Sequence, residues 1–74
     1  MTTQKNWVKV YSTGVEYLAE LLKQVLFDNG IEAVVVDKKD NAYLFGWIEV
    51  YVSDDDYENS VKIVEDFEKN TSIK

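Results

Sequence analysis

This chain is expected to form an α+β fold in which two helices pack on one face of a three-stranded antiparallel sheet, in the order β-α-β-β-α. Three observations carry that expectation. Runs rich in Val, Ile and Tyr near 7–11, 31–36 and 48–52 alternate with two stretches whose apolar residues recur at helical spacing. Each helical stretch opens on a hydroxyl residue with an acid three places on, Thr13 with Glu16 and Ser53 with Asp56, the pattern of a capping box. The 74 residues include no proline, so nothing in the sequence forces a break inside an element.

Trp7-Val8-Lys9-Val10-Tyr11 alternates as a half-buried strand does, which puts Val8 and Val10 on one face and Trp7, Lys9 and Tyr11 on the other. Ser12-Thr13-Gly14 ends it. The first helix carries Val15, Leu18, Ala19, Leu22, Val25 and Leu26 as its inward stripe, with Glu16 and Glu20 toward the positive end of its dipole. It is expected to stop at about Asp28, where Asn29-Gly30 offers a left-handed cap and Ile31 can close over the last turn. Ile31 to Val36 forms the second strand, and its apolar run is too continuous to say which face is buried. A turn over Asp37-Lys38-Lys39-Asp40-Asn41 leads into Tyr43-Leu44-Phe45-Gly46-Trp47, an unusually apolar connection. Ile48-Glu49-Val50-Tyr51-Val52 then alternates cleanly as the third strand. In the second helix Tyr57, Val61, Val64 and Phe67 make the inward stripe, with Ile63 at its edge and Val52 and Tyr57 spaced as a hydrophobic staple. That helix is expected to reach about Lys69, and Thr71-Ser72-Ile73-Lys74 is short for a fourth strand.

A right-handed crossover through the first helix makes the first and third strands neighbours. The result is a ferredoxin-like arrangement without its fourth strand. Residues 1–74 form a single domain, with an ordered core at about 7–68. The face away from the helices would then gather Trp7, Tyr11 and Tyr51 around a cross-strand Lys9–Glu49 pair, with Trp47 at its margin. Nothing in the chain is left to cover it. Self-association, as a homodimer, is expected through this aromatic face, the free edge of the first strand, or both. The alternative is a monomer with scattered surface aromatics.

Composition narrows the function classes. With no cysteine and no histidine the chain lacks thiolate chemistry, the commonest metal ligand and the commonest general base near neutrality. No cofactor or metal and no catalytic residue is expected, so the chain reads as a non-enzyme. Fourteen acids against eight lysines give a net charge of −6, which argues against nucleic acid as a partner. Lys38-Lys39, the sole paired basic element, is neutralised locally by Asp37 and Asp40. There is no apolar run long enough to span a bilayer and no apolar leader, so no membrane association is expected and the cytoplasm is the default compartment. Asp54-Asp55-Asp56 fits a helix start better than a cation site. Glu32, Asp37, Asp40 and Glu49 lie on or near strands, but no spacing singles out a catalytic pair. Tyr43, Phe45 and Trp47 are the better candidates, because rigid aromatics dominate interface hot spots and Gly46 can re-aim them.

The N-terminal strand WVKVYS, Ala19 in a helix leading to Leu26 and Asn29-Gly30-Ile31, Gly46, and Ile48 to Val52 followed by Asp54-Asp55-Asp56 together resemble a family of small prokaryotic domains of unknown function described as signal-transducing. The resemblance covers roughly residues 7 to 68. It implies a ferredoxin-like fold comparable to that of the PII nitrogen regulators. Phe27 stands where such domains often carry an acid, and Ser60 where a small alanine is usual. The segment from Asp37 to Trp47 is far shorter than the nucleotide-linked loop of PII proteins, so their ligand binding does not transfer.

The expected function is therefore a regulatory interaction domain acting through Trp7, Tyr11, Tyr43, Phe45, Trp47 and Tyr51, with a second protein as a further partner class. A small-ligand sensor with a pocket beside Asp37–Trp47 is the first alternative, and an enzyme with an unrecognised site the second.

Overall fold

The computed structural model describes residues 6–38 and 47–71. Its elements are β1 (Trp7–Thr13), α1 (Glu16–Asp28), β2 (Ala33–Asp37), β3 (Ile48–Ser53), a 3-10 turn (Asp54–Asp56) and α2 (Tyr57–Thr71). The strand order is β1-β3-β2, and β3 runs antiparallel to both neighbours. β1 and β2 are thus parallel to each other and joined by the α1 crossover, as the β-α-β-β-α order requires.

Alternation along β3 sorts the sheet into two faces. Ile48, Val50 and Val52 are buried against the helices, opposite Asp37, Val35 and Ala33 of β2. From α1 come Ala19, Leu22 and Leu26, and from α2 come Val64 and Phe67, closing one core with Ile31. The continuous run of β2 resolves the same way: Ala33 is buried with the core, while Val34 and Val36 pair with Tyr51 and Glu49 on the face away from the helices.

β1 departs from simple alternation. Lys9 lies opposite Tyr51, but Tyr11, two residues on, lies opposite Val50, so the strand carries an extra residue at Val10. A bulge of this kind reverses the facing of everything after it. Tyr11 therefore turns to the helix side, where its ring meets Phe67 edge-on at 5.6 Å and 86°. This corrects the expectation that Tyr11 shares a face with Trp7 and Lys9.

The helix ends follow the sequence at some points and not at others. Gly30, at φ +79°, closes α1. Its amide donates to Phe27 O at 2.9 Å, and the Ile31 amide donates to Leu26 O at 2.9 Å, which is the Schellman pattern with Ile31 as its apolar lid. The two capping boxes do not form. Thr13 ends β1, and its Oγ1 accepts from the Val15 amide at 3.1 Å, leaving α1 without a side-chain cap. Ser53 Oγ accepts from the Asp55 amide at 3.3 Å and so caps the 3-10 turn, not the α-helix beyond it. That extra turn rotates α2: Tyr57 is 42% exposed, outside the inward stripe assigned to it, and Ser60 is fully buried instead. Thr71 belongs to α2, its Oγ1 donating to Phe67 O at 2.9 Å, so it begins no fourth strand.

Ser60, a small side chain with no exposure, marks where α2 lies close against the rest of the fold. Its Oγ turns back to donate to Asp56 O at 2.5 Å. Ser60→Ala removes only this local bond and is expected to change stability by no more than about 1 kcal/mol, whereas Ser60→Leu overpacks the site and costs about 1–3 kcal/mol. Urea unfolding separates the two; equal losses would mean that α2 is not held close at this point.

Candidate functional site

On the sheet face opposite the helices, Glu49 sits at the middle of β3 with Ser12 on one side and Val36 on the other. No described helix covers this face, yet Glu49 is only 7% exposed. Its carboxylate is enclosed by the side chains that bond to it. The Tyr51 hydroxyl donates to Oε1 at 2.6 Å, Trp47 Nε1 donates to Oε2 at 3.0 Å, and Lys9 Nζ reaches the same Oε2 at 3.4 Å.

Strand geometry explains this convergence. Residues two apart on one strand point the same way, so Trp47, Glu49 and Tyr51 share the open face. Lys9 lies opposite Tyr51 and meets Glu49 diagonally, just before the bulge at Val10. The expected Lys9–Glu49 pair is therefore present, and the two aromatic donors were not foreseen. The signal was in the i, i+2, i+4 spacing of Trp47, Glu49 and Tyr51, since both aromatics carry a polar atom that must be bonded when partly covered.

The bonds fix the charge states. Donation from Tyr51 holds the Glu49 carboxyl below its ordinary value of 4.5, outweighing the burial that pushes the other way, with Trp47 and Lys9 adding to the effect. Conversely, the carboxylate holds the Tyr51 phenol above its ordinary value of 10.0. Both shifts favour an ionised acid beneath neutral aromatics across the physiological range. Such a cluster makes a rigid platform. Its carboxylate oxygens are already occupied by donors, which suits orientation of the rings better than proton transfer.

The sequence-predicted residues fall into three groups. Trp47 and Tyr51 are joined through Glu49, and Trp7, 40% exposed, lies on the same face opposite Ser53. Tyr11 is on the other side of the sheet. Tyr43 and Phe45, with most of the Asp37–Trp47 segment and the pocket expected beside it, lie outside the described residues. Val34 and Val36, which the sequence left unassigned to a face, complete the apolar surround.

Elsewhere, Asp54 is engaged by Asn6, whose Nδ2 donates to Oδ2 at 3.2 Å and whose carbonyl accepts from the Asp54 amide at 2.8 Å. Among the described residues no three acids converge as a metal site would need, and no helix is long and apolar enough to cross a membrane.

Comparison with known families matches residues 7–68 to the model described as "Putative prokaryotic signal transducing protein". The chain belongs to that family. No curated protein and no solved structure gives a match. The family's span runs from the start of β1 into the last turns of α2, so it takes in both sheet faces and the Glu49 cluster.

Replacing Tyr51 by Phe removes the main interaction that holds Glu49 ionised while leaving its burial, so the Glu49 carboxyl is expected to titrate at higher pH. Carboxyl-carbon NMR titration of both proteins measures this. In the native chain the bonded carboxylate contributes stability that is fully present above pH 4.5 and is lost as pH falls through the lower folded-state value. The Tyr51 contribution is present below pH 10.0 and is lost as pH rises through its higher folded-state value. An unchanged Glu49 titration in Tyr51→Phe would mean the phenol does not bond to it.

Proposed function

We propose that this chain is a non-enzymatic regulatory domain whose working contact is the open sheet face, taken by the same face of a second copy. The observation that carries this reading is the Glu49 cluster, which holds Trp47 and Tyr51 in fixed orientations on a surface no described helix covers. Fixing aromatic side chains before contact lowers the entropy lost on association.

Charge supports a second copy as the occupant. The chain carries −6 overall, and its carboxylates crowd the helices and the Asp54–Asp56 turn. On the open face Lys9 and Glu49 neutralise one another, so two copies can approach there without the repulsion they meet elsewhere. Three strands about 4.8 Å apart and about 20 Å long present roughly 300 Å² per copy. At about 600 Å² in total this is well below the roughly 1,000 Å² of a stable interface, so the contact we propose is a weak, exchanging one.

Light scattering over a concentration series tests the reading. The native chain is expected to gain mass as concentration rises, and Trp7→Glu or Trp47→Glu to weaken association by about tenfold or more, consistent with loss of a hot-spot aromatic. Far-UV circular dichroism verifies that each variant remains folded. Tyr17→Glu, on the exposed side of α1, should associate as the native chain does. A native chain that stays monomeric throughout, or open-face variants that associate normally, would sink the proposal.

A further inference from the structure

The sheet has two edges, and the one along β2 is built differently from the one along β1. Among the described residues β2 pairs with β3 alone. Beside its other edge runs a continuous groove between the strand and α1. The helix wall of that groove is Glu16, Glu20, Lys23 and Phe27, spaced i, i+4, i+7, i+11, so they form one straight ridge along α1. Glu32 and Asp37 mark the two ends of the strand, and Ala33 and Val35 line its floor. Along the helix wall Glu16 and Glu20 thus set two carboxylates beside one ammonium, Lys23.

We infer that this groove takes an extended basic segment of another protein, which adds a fourth strand to the edge of β2. A strand laid there would pair its backbone with the edge of β2 that no other described strand pairs and send alternate side chains to the two sides of the sheet. Side chains on the helix side meet the Glu16–Glu20 ridge and are matched by Lys or Arg. Those on the other side lie next to Val34 and Val36 and are matched by β-branched apolar residues. Phe27, 70% exposed at the end of the ridge near Ala33, offers an apolar contact and an aromatic face to a cation. A second copy of this chain is a poor occupant, because its own β2 edge brings the same carboxylates.

This inference does not depend on association through the open face, since it concerns a different edge and a different partner. The probe is an eight-residue peptide of alternating Lys and Val, blocked at both ends, titrated into the full chain and followed by amide chemical shifts. Shifts are expected in Ala33–Asp37 and along the Glu20–Phe27 side of α1. A Glu/Val counterpart should bind at least tenfold more weakly, and alternate N-methylation of the Lys/Val peptide on its pairing edge should abolish binding. Glu20→Gln, at an exposed position, should weaken it by about two- to fivefold, the size of one exposed ion pair. Absence of binding, shifts centred on β1 or the open face, or equal binding by the N-methylated peptide would each overturn the inference.

Discussion

The antiparallel pairing of β3 with both other strands is the constraint on which the rest of the molecule depends. Because β3 is the central strand, its alternate residues must satisfy two unlike surroundings at once. Ile48, Val50 and Val52 supply the middle of the core, and Glu49 and Tyr51 supply the middle of the open face. A register slip of one residue would put Glu49 among Leu22, Leu26 and Phe67, where an unpaired carboxylate is costly, and would expose three β-branched residues. The hydrogen-bonded carboxylate is therefore a register device as well as a surface feature: Tyr51, Trp47 and Lys9 bond it on the open face, and a slip would take it from all three.

The bulge at Val10 is the second consequence of serving two faces. Without it, Tyr11 would stand on the open face and α2 would lose the aromatic partner of Phe67. With it, β1 contributes Lys9 to the Glu49 cluster and, only two residues later, a tyrosine to the core. Elements with strong periodicity were legible from the sequence for this reason and to this extent. The stripe Ala19, Leu22, Leu26, the Gly30 cap with Ile31, and the alternation of β3 each follow from a local rule that no tertiary contact overrides. Tyr11 and Tyr57 were misassigned because one inserted strand residue and one 3-10 turn shift the phase of a period, and neither insertion has a sequence mark as clear as a glycine. Ser60 was legible as a small position only through the family pattern, since a serine in mid-helix carries no burial signal of its own. At the open face, the Lys9–Glu49 pair was readable from opposite charges on neighbouring strands, whereas the Trp47 and Tyr51 donors were read as bulk and not as polar groups.

The two edge strands of the described sheet place opposite demands on a small acidic chain. β1 presents Lys9 and Ser12 among its outward residues, polar groups that discourage uncontrolled pairing. β2, Ala33-Val34-Val35-Val36-Asp37, carries three consecutive β-branched valines, which left bare would be a template for aggregation. What guards it is Asp37 at its own end, Glu32 just before its start, and Glu16 and Glu20 of α1 alongside. A guard in which carboxylates outnumber ammonium groups disfavours pairing with the same edge of another copy and favours segments of the opposite sign. Were a basic segment to dock here, protection against self-pairing and selection of that partner would be one electrostatic arrangement seen from two sides, at the edge where three consecutive valines would otherwise be exposed.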